Sequence, residues 1–205
     1  ADYVTYLVPG MFSSVDSQIG TWSTGGARIA ADQQAWLDRL ATPGQAPRTV
    51  AVVTWFGYHA PDISDVTSLR PAREAESALT ASVQGLRAVR AADQPYVSIV
   101  GHSYGSTAAL LALQDRGMDV DALIVVGSPG SPAASVSDLS VRDGNVWVGA
   151  ADRDPVASSA VLGTSPSAAS FGARVLGVGG GVDPVTGREL GAVHGHLDYF
   201  TPGSE

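Results

Sequence analysis

Ser103 sits in Gly101-His102-Ser103-Tyr104-Gly105, between Tyr96–Val100 and Ser106–Leu113. The first flank is rich in β-branched and aromatic residues, a strand composition; the second is rich in Ala and Leu, a helix composition. A strand that turns at once into a helix strains its corner residue and crowds the positions on either side, where glycine fits. The corner lifts the serine hydroxyl clear of the sheet edge. It also sets the hydroxyl beside a helix N-terminus, where free N–H groups favour negative charge. Ser103 is therefore a candidate nucleophile for attack on a carbonyl. A plain Gly-Ser turn in a βα unit is the alternative.

A serine nucleophile needs a base and an acid to orient that base. The chain has no cysteine and no lysine, so thiolate nucleophiles, Schiff-base chemistry, a Ser-Lys dyad and a P-loop lysine are excluded. The base must be one of four histidines: His59, His102, His194 or His196. His102 should point away from Ser103 if the corner forms, and His59 lies in an aromatic loop. His194 and His196 flank Gly195 in the tail; with Asp198 they could instead form a metal site, for which one H-x-H is thin support. Asp154 follows a predicted strand and precedes Pro155-Val156. It is the candidate acid, with Asp152 as competitor and a helix cap as the alternative role. The oxyanion of an acyl-transfer intermediate needs two N–H donors. Tyr104, after the nucleophile, is one candidate. Met11 in the turn Pro9-Gly10-Met11 is the other, with Phe12 as runner-up.

These residues need a frame that brings them together. Val4–Val8, Thr49–Trp55, Tyr96–Val100, Ala122–Val126, Asn145–Ala150 and Ala173–Val178 read as buried strands. Ala27–Leu40 and a segment from Pro71 to about Ala92 carry apolar residues at helical spacing; the small-polar stretch Ser13–Gly26 reads as irregular. Strands without polar alternation, separated by helices, predict an α/β fold: a doubly wound, mostly parallel sheet covered on both faces. In such sheets function collects at the carboxyl ends of the strands. Met11, Phe56–His59, Ser103, Ser128 and Asp154 all follow predicted strands and should share one rim. Phe12, Phe56, Tyr58 and Ser128 are candidates for a substrate pocket. The loop Trp55–Tyr58 could line it, form a short lid, or pack onto the end of the sheet. Ser131–Ser140 reads as a surface connection, and the Gly-rich tail Gly179–Glu205 as slack that delivers its histidines.

The 205 residues suit one α/β domain spanning 1–205 with no large cap. Acidic residues outnumber basic ones 20 to 12, so neither nucleic acid nor an anionic membrane surface is an expected partner. No apolar run approaches the roughly 18 residues of a membrane span. The N-terminus lacks the basic and apolar regions of a signal peptide, as would a chain whose signal had been removed, so secreted and cytoplasmic locations both stay open. A monomer is expected.

The motifs Gly101–Ser106, Val126–Gly130, Asp154–Val156 and Gly195–Tyr199 together resemble the α/β-hydrolase superfamily. The likeness is strongest to an actinobacterial hydrolase group of poorly defined function, and the size is similar to that of cutinases, without their cysteines. Pro9-Gly10 stands where the superfamily commonly has His-Gly. The resemblance implies His196, not His194, as the base of a Ser103-His196-Asp154 triad. It implies hydrolysis of a small-molecule or lipid carboxylic ester through an acyl-enzyme, with no cofactor. Thioesterase, amidase or acyltransferase chemistry would use the same triad. A non-catalytic module that binds a lipid or a partner is the rival from another class.

Overall fold

The computed structural model describes residues 1–201. Six strands form one parallel sheet in the order β2-β1-β3-β4-β5-β6: β1 Tyr3–Val8, β2 Val50–Thr54, β3 Tyr96–His102, β4 Ala122–Val126, β5 Val146–Gly149 and β6 Arg174–Val175. The order reverses direction at β1, so the chain winds outward both ways from the centre. Central strands β1 and β3 pair from Tyr3↔Tyr96 to Val8↔Gly101, which sets their carboxyl ends side by side.

Alternation along β1 shows how the two faces are used. Thr5 points to one side, where its hydroxyl bonds Gln33 of helix α1 (Val15–Arg39). Tyr6 points to the other, where its hydroxyl donates to the Ser82 carbonyl of α2 (Arg70–Val89). Helices α2 and α3 (Tyr104–Gln114) pack together on that second side. Ala72, Ala75, Leu79 and Val83 of α2 are fully buried with Ala108, Ala109 and Leu110 of α3. Removing a leucine from such a core typically costs about 2–5 kcal/mol.

The expected α/β architecture is present, and three local readings are corrected. Helix α1 starts at Val15, twelve residues before the expected start at Ala27. Ser14 caps it by accepting from the Ser17 N–H at 3.2 Å, and Asp16 favours its first turn. Of the glycines in that small-polar stretch, Gly26 serves packing: a side chain there would meet Thr54 Oγ1 at 2.8 Å, so this glycine lets α1 approach β2, whereas Gly20 and Gly25 have open space where a side chain would lie. The last strand is two residues long, since beyond Val175 the chain leaves β5 after one further bond, Leu176 N–H to the Val148 carbonyl. Ser131–Ser140 is only in part a surface connection: Ser131, Ala133 and Leu139 are buried, and a 3₁₀ turn spans Val136–Asp138. The tail folds a short antiparallel hairpin from β7 (Gly181–Val182) and β8 (Glu189–Leu190) before it returns to the sheet. Pro202–Glu205 of that tail lie outside the described residues. Among the described residues no helix is long and apolar enough to cross a membrane.

Candidate active site

Ser103 is the corner between β3 and α3, at φ 54° and ψ −131°. A non-glycine residue there is strained, and the neighbours hold it. A Cβ on Gly101 would lie 2.7 Å from Ser106 Cα, and one on Gly105 would strike the Val8 and Pro9 carbonyls. Both glycines are therefore required by close backbone approach, as the motif suggested. The Ser106 N–H and hydroxyl both bond the Ser103 carbonyl and close the turn.

His196 Nε2 is 2.8 Å from Ser103 Oγ. Its Nδ1 is 3.0 Å from each oxygen of Asp154. Asp154 also caps the short helix α4 (Pro155–Ser159): its Oδ1 accepts from the Val156 and Ala157 N–H groups. One carboxylate thus makes both the helix cap and the contact with His196 Nδ1. Its Oδ2 accepts from the Tyr199 hydroxyl at 2.9 Å. Burial pushes this carboxyl up, but the hydrogen bonds from His196, Ala157 and Tyr199 outweigh burial and hold it below the usual carboxylate range. Asp154 is therefore charged at neutral pH and can hold Nδ1 protonated, leaving the Nε2 lone pair facing Ser103.

The competitors lie elsewhere. Asp152, His59 and His194 are exposed. Asp198 Oδ2 accepts from the Gly195 N–H, turning its carboxylate into its own loop. Among the described residues no three His, Asp or Glu side chains are placed to share a metal ion.

The turn after β1 lies directly against Ser103. A Cβ on Gly10 would come within 2.6 Å of Ser103 Cβ and 3.0 Å of Oγ. The next two residues part ways. Phe12, at φ 59°, donates its N–H to the Pro61 carbonyl at 3.0 Å, which removes it as an alternative oxyanion donor. The Met11 N–H has no hydrogen-bond partner among the described residues. Tyr104 opens α3, so its N–H has no intrahelical acceptor. Tyr58 donates its hydroxyl to the Pro9 carbonyl at 2.8 Å and stacks on buried Trp55. Of the readings for the Trp55–Tyr58 loop, these two residues follow the packing one: they prop the turn. Phe56 is half-buried beside them, and Phe12 is half-exposed at the rim. Ser128 is buried, its Oγ accepting from the Gly130 N–H within its own turn.

Three residues at the site were not assigned a role from sequence. Tyr199, noted only as part of a motif, accepts from the Ala151 N–H while donating to Asp154, so it ties the tail to the end of β5. Gly127 lies at φ 60°, where a Cβ would meet Tyr199, Asp154 and His196 atoms at 2.9–3.1 Å. The strand-end Gly-Ser-Pro-Gly was the available signal, but only the folded tail shows what it leaves room for. His102 does turn away from Ser103, yet its Nε2 is 2.9 Å from the His196 main-chain carbonyl.

A family model described as alpha/beta hydrolase matches residues 1–164, a span that includes Ser103 and Asp154 and stops short of His196. An uncharacterized protein of Mycobacterium tuberculosis, Rv2079, is 31% identical over 231 residues, covering 100% of this chain and 34% of the relative. Mb0988c of Mycobacterium bovis, also uncharacterized, is 30% identical over 181 residues, covering 88% of this chain and 65% of the relative. The chain thus spans about a third to two thirds of the length of these relatives. Among solved structures, that of esterase PE8 superposes with a TM-score of 0.54 at 18% identity, covering 96% of this chain and 86% of that one, a likeness of fold.

Proposed function

The chain belongs to the alpha/beta hydrolase family, and from that premise we propose that it is a serine hydrolase cleaving carboxylic esters through an acyl-enzyme. The observation that carries the reading is the unbroken relay from Ser103 Oγ to His196 Nε2 at 2.8 Å and from His196 Nδ1 to Asp154 at 3.0 Å. Ser103 attacks the ester carbonyl as His196 Nε2 takes its proton. Asp154 stabilises the imidazolium that results and fixes its orientation. The carbonyl oxygen becomes an oxyanion, which the Met11 and Tyr104 N–H groups bind. Such donors are fixed before reaction, and one alone is typically worth about 10²–10³ in rate. The tetrahedral intermediate collapses, the C–O bond to the leaving alcohol breaks, and His196 returns the proton to that alcohol. Water, activated by the same histidine, then hydrolyses the acyl-enzyme and frees Ser103.

The supports are independent of one another. The strained corner at Ser103, a Met11 N–H beside Gly10 that is unpartnered among the described residues, and a carboxylate kept charged by hydrogen bonds from His196, Ala157 and Tyr199 each suit acyl transfer. The test is a panel of p-nitrophenyl esters of increasing acyl length beside the matching thioesters. Ester turnover that disappears in Ser103→Ala is expected. Thioesters cleaved with much higher kcat/KM than oxygen esters would move the substrate class. No turnover of any acyl donor would leave a binding module.

A further inference from the structure

We propose that His102 is a positioning residue that braces the main chain of His196, so that adjacent residues 102 and 103 hold the proposed base from two sides. This rests on the reading of His196 as that base.

The alternation of β3 sends Ser98, Val100 and His102 to the α1 face of the sheet, whereas Ser103 opens at the rim. On the α1 face the His102 ring is enclosed. Trp22 of α1 lies 5.7 Å from it, Phe200 meets it edge-on at 5.7 Å and Tyr199 lies at 5.8 Å. The His196 ring stacks on it at 4.9 Å, at an interplanar angle of 30°. The polar contact is with the His196 carbonyl at 2.9 Å. A carbonyl only accepts, so His102 Nε2 carries the hydrogen and donates. Its Nδ1 is buried with no hydrogen-bond partner among the described residues, which suits a bare lone pair and not a second N–H. His102 is thus a neutral donor, and burial, the largest influence on it, pushes its titration down to about 4.

An unpartnered buried nitrogen is a cost that phenylalanine would avoid at this aromatic-lined position. What phenylalanine could not do is donate to residue 196. The base is delivered by a Gly-rich tail whose other attachments include the Tyr199 hydroxyl bonds, the side-chain hydrogen bonds of His196 itself, the Val193 N–H to the Val178 carbonyl, Arg28 to the Phe200 carbonyl and the Arg188–Asp32 ion pair. Among the described residues, the His102 bond is the one that fixes the backbone of the base directly.

The test uses His102→Phe, which keeps a ring and loses the donor, and His102→Gln, whose amide nitrogen can occupy the position of Nε2. Active enzyme is first counted by fluorophosphonate labelling, and kcat and KM are then measured on p-nitrophenyl butyrate alongside thermal melting. His102→Phe is expected to lower kcat about 10- to 100-fold, the scale of a small misplacement of a catalytic group, with KM within threefold and a melting temperature at or above that of the unaltered chain. His102→Gln should recover most of kcat. Unchanged kcat in His102→Phe would overturn the proposal. So would equal loss in both variants, whether or not their melting temperatures fall, because a packing role is blind to the donor. If the unaltered chain takes no label and cleaves no acyl donor, the hydrolase reading falls and this one falls with it. Labelling with an indifferent His102→Phe overturns the brace alone.

Discussion

Acidification should weaken the fold through His102 in a defined window. The imidazole is 6% exposed, and burial moves its titration from 6.5 to about 4. At roughly 1.4 kcal/mol per pH unit, that displacement is worth about 3 kcal/mol. The unfolded chain takes up the proton near pH 6.5 and the folded chain only near 4, so between those values the unfolded state binds more protons. Stability is whole above pH 6.5, is lost as pH falls, and the loss levels off below about 4, where both states are protonated. Asp154 acts lower: its contribution is present above its unfolded value of 3.8 and is lost as pH falls through its depressed folded value. Urea unfolding followed by tryptophan fluorescence at pH 7, 6, 5 and 4.5 reads the difference. The unaltered chain should lose about 2 kcal/mol of unfolding free energy between pH 7 and 4.5. His102→Gln should lose that much less over the same interval. Equal pH dependence in the two proteins would refute the neutral, buried state assigned to His102.

Asp154→Asn should lower kcat by about 10⁴-fold, the scale set by a comparable change in a serine protease, while exposed Asp152→Asn stays near the unaltered rate; the p-nitrophenyl ester assay separates them. Gly127→Ala should cost roughly 1–2 kcal/mol from its positive φ alone and lower kcat further by displacing Tyr199 and His196, read by melting and by turnover of the labelled fraction. Tyr199→Phe should destabilise the fold by about 1–3 kcal/mol, because the Ala151 N–H is left buried without its acceptor; urea unfolding at pH 7 measures it.

The site was legible where covalent neighbours define it. Gly101, Ser103 and Gly105 specify their corner through backbone collisions that any strand-to-helix turn would suffer, so sequence alone suffices there. Asp154 was legible as a strand-end carboxylate before Pro155, since a cap and an acid ask for the same residue. His196 needed the family resemblance, because nothing local distinguishes it from His194 two residues earlier. The brace from His102 and the space left by Gly127 are set by where a long glycine-rich tail returns, and contacts across 94 and 69 residues leave no local periodicity. The amino-terminal half of α1 was hidden for another reason. Gly20, Gly25 and Gly26 read as helix breakers, whereas the cap at Ser14 and close packing of Gly26 on β2 outweigh their propensity.

The most direct measurement is covalent labelling with a fluorophosphonate followed by peptide mapping, on the unaltered chain and on Ser103→Ala, His196→Ala and His194→Ala. One adduct on Ser103 is expected, formed at a similar rate in His194→Ala, slowed by orders of magnitude in His196→Ala and absent from Ser103→Ala. An adduct on another residue, no adduct at all, or a reactive His196→Ala beside an inert His194→Ala would contradict the Ser103-His196-Asp154 assignment.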